Sequence, residues 1–140
     1  MEAYKTSMAL ASIVIIFWFV SYALGHIVLA YNVKVNYTRK IGHFSMFVLP
    51  NFFYVIFNIQ SGAERILISV ASSAILFLSI SQLFRNRIAI FNTMFISIDR
   101  PEDRPNTLWW LFSQTATGLL ILGIYYYFWQ QIGIPYELLY

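Results

Sequence analysis

Two short stretches hold most of the side chains able to do chemistry in this chain. The first is Asn36-Tyr37-Thr38-Arg39-Lys40-Ile41-Gly42-His43-Phe44. Arg39 and His43 stand four residues apart, so on a helix they share one face. Thr38 suits an N-cap, which would put Arg39 and Lys40 in the first helical turn. Cations there oppose the helix dipole. A bound anion would offset them, because free backbone amides and two cations all attract phosphate. His43 would then accept or donate a proton beside that phosphate. The alternative reading of the same residues is topological: Arg39 and Lys40 anchor the end of a membrane helix, and His43 is simply hydrated.

The second stretch is Asp99-Arg100-Pro101-Glu102-Asp103-Arg104-Pro105-Asn106. Asp99, Glu102 and Asp103 are candidate magnesium ligands, since phosphoryl-transfer sites commonly hold Mg2+ with one or two carboxylates. Arg100 and Arg104 are candidates to steady phosphate oxygens, with Gln114 beside the substrate. The competing reading is a solvated turn whose charges pair with one another. His26, Ser113, Gln114 and Thr117 lie within apolar blocks, where polar groups usually face a bundle interior. They would line a pocket for a lipid hydroxyl, or bond between helices. No P-loop, GxGxxG, HExxH or CxxC occurs, so the common soluble nucleotide and zinc sites are excluded.

The elements that must position these residues are long and apolar. The 140 residues are 59% hydrophobic and 11% charged, against roughly 25% charged in soluble domains. There is no cysteine, which excludes disulfide frameworks and thiolate metal sites. Four apolar blocks stand out, at 8–31, 41–59, 66–84 and 107–130. Each approaches the length of about 20 residues that a spanning helix needs. A cleavable signal peptide competes for the first block, with Lys5 as its basic flank, but the run stays apolar past Gly25 and favours a retained helix. Pro50 predicts a kink in the second. The third is rich in serine and alanine, which predicts close packing and the most enclosed helix of the set. Trp109 and Trp110 at one end of the fourth, and Tyr125, Tyr126, Tyr127 and Trp129 at the other, are separated by roughly 28 Å of helix, as two aromatic belts should be.

Between the third and fourth blocks, Ile88, Phe91, Phe95 and Ile98 share a helical face, which fits an amphipathic helix lying in the membrane interface or an extension of the third helix. The expected fold is therefore all-α and integral to a membrane: one domain over 1–140, a bundle of four transmembrane helices with an interfacial amphipathic segment before the last. No internal repeat or linker interrupts it, and the tail from Gly133, with Pro135 and Glu137, follows the last span.

Four spans put the first and third connections on one side. These carry Lys34, Arg39, Lys40, Arg85, Arg87, Arg100 and Arg104, leaving Lys5 and Arg65 for the other. The positive-inside rule makes the first side cytoplasmic and both termini non-cytoplasmic, in a bacterial inner membrane or an endoplasmic-type membrane. The net charge of +3 is assigned to this asymmetry rather than to nucleic-acid binding. Both chemical stretches then meet at one membrane face.

Arg39-Lys40-Ile41-Gly42-His43 resembles the Arg-Lys-x-x-His motif of the polyprenol kinase family, which includes dolichol kinase, phytol kinase and CTP-dependent diacylglycerol kinases. The placement is similar too, just after a first hydrophobic helix and opening the second. The Arg100–Arg104 turn is loosely similar to an Arg/Glu-containing loop of that family. The resemblance implies phosphoryl transfer from CTP to a polyprenol, a phytol-like alcohol or diacylglycerol at the cytoplasmic face. Arg39, Lys40 and His43 would then be catalytic, with Mg2+ as cofactor. It covers only the N-terminal half of such an enzyme. The later Gly-Asp motif has no counterpart, since Asp99 and Asp103 are the only aspartates and neither follows a glycine. The expectation is thus a lipid-alcohol kinase that is incomplete, split or catalytically lost. Its alternative is a non-catalytic accessory subunit or lipid-binding bundle. Partners in either case are a membrane lipid or lipid alcohol, with a second copy or another membrane subunit.

Overall fold

Thirty residues pass without a proline before Asn32, and they form α1 (Glu2–Tyr31). Asn32 ends it by adopting a left-handed φ of 52°, a conformation asparagine tolerates better than most residues. The computed structural model describes residues 2–132 of the chain. It is all-helical over them. After α1 come α2 (Val35–Ile56), α3 (Gly62–Ile80), the short α4 (Gln82–Arg85), α5 (Ala89–Ile96), a 3-10 turn at Pro101–Asp103 and α6 (Thr107–Ile132). The tail with Pro135 and Glu137, and the side chains of Tyr125, Tyr126 and Trp129, lie outside the described residues.

Two of these helices are long and apolar enough to cross a membrane. One is Tyr4–Tyr31, 28 residues whose most apolar stretch has mean hydropathy 2.3; the other is α3, 19 residues whose most apolar stretch reaches 1.7. α2 and α6 have the length, at 22 and 26 residues. α2 runs through Pro50 as one helix. Proline removes the donor for the Met46 carbonyl, and one residue on, the Asn51 side-chain amide donates to the Phe47 carbonyl at 2.8 Å. A second left-handed asparagine, Asn58 (φ 54°), follows α2. Ser61 then caps α3, its hydroxyl accepting from the Glu64 amide.

α1 is the hub. It packs on α2, α3 and α5, while α6 leans on α3. At one end Ala9 and Ile13 of α1 meet Phe53 and Tyr54 of α2, Ile59, and Ile68 of α3. The Tyr54 hydroxyl ties α2 to α3 there through the Arg65 carbonyl (2.9 Å) and the Ser69 hydroxyl (2.8 Å). At the other end Ile80, Met94 and Phe95 are packed by Trp18, Tyr22, Phe77, Phe91, Ile98 and Leu108. α3 keeps six of its 19 residues buried, Ser72 and Ser79 among them, against five of 22 in α2, in line with its small residues; its most apolar window is 28% buried, the same share as in α1.

The segment after α3 also departs from expectation. Ser81 leaves helical geometry (ψ 156°) and Ile88 is extended (ψ 109°), so α4 and α5 are separate helices and not a continuation of α3. Phe95 is buried, with Phe91 and Ile98 packed beside it. The apolar face read as interfacial is turned into the protein, against α1, and of the four residues named for it only Ile88 is exposed. Gly25 makes this approach close: a Cβ there would sit 2.0 Å from the Thr93 carbonyl oxygen.

Candidate functional site

The two chemical stretches meet. Thr38 lies in the first turn of α2 and is not its cap; Lys34 holds that position because α2 begins at Val35, three residues after the turn at Asn32. The Thr38 hydroxyl, 2% exposed, shares its proton between the Val35 carbonyl at 3.0 Å and the Ser97 carbonyl at 2.6 Å. This bond fastens the start of α2 to the end of α5.

One turn position further, Arg39 is buried and ion-paired with Asp103. Its other terminal nitrogen lies 3.4 Å from the Gln114 side-chain oxygen on α6, so one guanidinium bridges α2, the 3-10 turn and α6. Arg100 grips the same carboxylate with a fork, Nε to Oδ2 at 2.9 Å and Nη2 to Oδ1 at 2.9 Å. The Arg100 guanidinium first, and Arg39 with it, holds the Asp103 carboxyl below the usual carboxylate range. Asp99 accepts from Thr107 at 2.7 Å and from the exposed Arg104 at 2.8 Å.

Of the candidate residues, Arg39, Arg100, Asp103 and Gln114 are therefore brought together. His43 is half-buried one turn along α2, within reach of the Arg39 and Arg100 charges. Lys40 is exposed. Arg104 belongs to the neighbouring Asp99 pair. The proposed metal ligands do not converge: Asp99 and Asp103 are each taken by arginine, and Glu102 is exposed. No cluster of three or more side chains of metal-ligating type occurs among the described residues. As arranged, these residues do not fit a magnesium ion.

Beside this network lies an apolar cavity. Its walls are Phe17 and Ser21 of α1, Gly42, His43 and Met46 of α2, Leu76, Phe77 and Ile80 of α3, Met94, Ile98, and Leu111 and Thr115 of α6. It offers about 50 Å³ to the centres of water-sized groups, several times what one water needs. Its polar lining is Ser21, His43 and Thr115. The residues expected to line a pocket do otherwise. His26 is exposed, edge-on to Tyr22 at 4.5 Å. Ser113 and Thr117 bond back to carbonyls of their own helix. Gly42 was the missed residue. It is buried, yet a Cβ built on it meets nothing within 4 Å, so the cavity begins where its side chain would be. A glycine inside an apolar helical block, one residue before the histidine, was the available signal.

Comparison with protein-family models, with curated proteins and with solved structures found no match.

Proposed function

We propose that this chain is an integral membrane bundle spanning four times, through α1, α2, α3 and α6, and that it binds a single-chain portion of a membrane lipid in the cavity beside His43. The polar head of that lipid lies toward Arg39 and Arg100, on the face read as cytoplasmic, with both termini on the other. The observation that carries this reading is Gly42. Glycine inside a helix costs about 1 kcal/mol relative to alanine, and no neighbour requires it here. A bare wall maintained at that cost is explained by an occupant. The lining suits a hydrocarbon chain: apolar, with Met46 and Met94 able to adapt their shape.

A second reading, phosphoryl transfer from CTP to a lipid alcohol, is favoured by one relationship: His43 lines the cavity within reach of both the Arg39 and Arg100 charges. His43 would take the proton of the lipid hydroxyl as its oxygen attacks the terminal phosphorus and the nucleoside diphosphate leaves. The carboxylates do not fit magnesium as arranged, so no step is routed through a metal.

Lipid retained by the detergent-purified chain, identified by native mass spectrometry, tests the first reading. Gly42→Ala and Gly42→Leu should fold at least as stably as the parent and lose that lipid. Equal retention in Gly42→Leu would remove the cavity from binding. Supplying labelled CTP and a panel of polyprenol, phytol and diacylglycerol tests the second: label transfer abolished by His43→Ala supports it, and lipid binding without transfer leaves a binding protein.

A further inference from the structure

Arg39 is the one charged side chain buried among the described residues, and its charge balance is incomplete. Two guanidinium groups, Arg39 and Arg100, share the single carboxylate of Asp103, with side-chain exposures of 7%, 34% and 13%. The neighbouring Asp99 is committed to Arg104 and Thr107, and Glu102 is exposed and in no ion pair among the described residues. One positive charge is thus left over where the chain has its most enclosed cation. Uncompensated charge in a poorly solvated place is costly, and a further negative charge there is favourable.

The group that supplies the existing negative charge is held lightly. Asp103 sits at the end of a 3-10 turn only three residues long, Pro101–Asp103, with Pro105 beyond it. The turn contributes no buried side chain of its own. The ion pair that joins it to α2 is Arg39–Asp103, while Arg100 grips the same carboxylate from within the turn.

We propose that Asp103 is an internal ligand, occupying the seat of a phosphate group, and that a phosphate-bearing ligand displaces its carboxylate from Arg39 and Arg100, so that residues 101–106 swing outward while Arg100 stays beside Arg39. A phosphate offers up to two negative charges and three acceptor oxygens, against one charge and two oxygens from Asp103. Two arginine forks and the excess charge match it better than they match a carboxylate. The turn is then an autoinhibitory contact, closed by default and opened by the ligand. The phosphate arrives either as a lipid head or on a soluble molecule; the lipid source rests on the cavity reading above, and the soluble one does not.

The experiment uses the full chain in detergent. Binding of inorganic phosphate, short-chain phosphatidic acid and short-chain diacylglycerol is measured by calorimetry. In parallel, spin labels at the exposed positions Asn36 and Glu102 report the α2-to-turn distance. The chain has no native cysteine, so both labels are unambiguous. Asp103→Asn should bind phosphate or phosphatidic acid at least five-fold more tightly than the parent, Arg100→Gln should lose most of that binding, and saturating ligand should lengthen the 36–102 distance. Asp103→Glu keeps the charge and should stay close to the parent, which separates competition from loosened folding. Binding of inorganic phosphate alone assigns a soluble source, and binding of phosphatidic acid only assigns a lipid head; diacylglycerol should not move the turn. Unchanged or weaker binding by Asp103→Asn, or a 36–102 distance insensitive to phosphate, overturns the proposal. Gly42→Leu should abolish lipid retention and leave inorganic phosphate binding intact, so failure of the cavity reading and failure of this one are told apart.

Discussion

The Thr38 hydroxyl lies 2.6 Å from the carbonyl oxygen of Ser97, a residue 59 positions later in the chain. Both residues are buried, at 2% and 1% exposure. Ser97 follows the last turn of α5, where helical carbonyls lack amide partners. The bond therefore satisfies a helix end and joins two elements at once.

Thr38→Val keeps the shape and removes the donor, leaving the Ser97 carbonyl short of a partner. The expected cost is about 1–3 kcal/mol, with Thr38→Ser recovering most of it. Reversible unfolding in mixed micelles reads the loss, and faster amide exchange confined to residues 94–100 would locate it. A valine variant as stable as the parent would show that the bond contributes nothing.

Gly25→Ala should be among the most damaging small substitutions in the chain. The added methyl meets the Thr93 carbonyl, a backbone atom that no rotamer change can move aside. Overpacking of this kind costs about 3 kcal/mol and should detach α5, shifting the emission maximum of Trp18, which packs edge-on to Phe91 at 5.4 Å. Gly118→Ala is the control: nothing lies within 4 Å of its Cβ, so the helix should gain up to about 1 kcal/mol.

The contact between Asp103 and its two arginines should persist on mild acidification. Its carboxyl titrates below the ordinary 3.8 because Arg100 and Arg39 favour the charged form. A depressed folded pKa contributes stability that is present above the unfolded value and lost as pH falls through the folded one. Spin-label distances between 36 and 102 should thus hold steady from neutral pH to about 4 and lengthen only below it. Opening at pH 5 to 6 would mean that another group controls the turn.

Cysteine accessibility tests the orientation. Single cysteines at Lys34 and Arg104 should react with an impermeant reagent only from the cytoplasmic side, and one at Gln60 only from the opposite side. Labelling of positions 34 and 104 from opposite sides would contradict the shared face that Thr38–Ser97 and Arg39–Asp103 define.

That shared face was legible in the sequence. Four alternating spans, as the apolar blocks lead one to expect, would bring the first and third connections together, and the basic residues gathered there point the same way, so Arg39 and the Asp99–Arg104 turn are expected near each other from the sequence. Pairing within that turn was also foreseen as the alternative to metal binding, and Arg100–Asp103 and Arg104–Asp99 take that form. Thr38 has cap chemistry and so points to a later start for α2, whereas the left-handed turn at Asn32 sets the entry and Lys34 stands at the N-cap position with no capping bond from its side chain. The docking of α5 was not legible: Phe91, Phe95 and Ile98 announce an apolar face without naming what covers it. The cavity was least legible of all, because Ser21, Gly42, Leu76, Met94 and Thr115 come from five different helices.

The central position of α1 bears on the order of assembly. α2, α3 and α5 all rest on a helix that precedes them in the chain, so each emerges from synthesis to find its docking surface already built. The carbonyl of Thr93 meets a notch at Gly25 made some seventy residues earlier. Assembly can proceed by successive addition to that first helix, whose last contacts close only when α5 arrives.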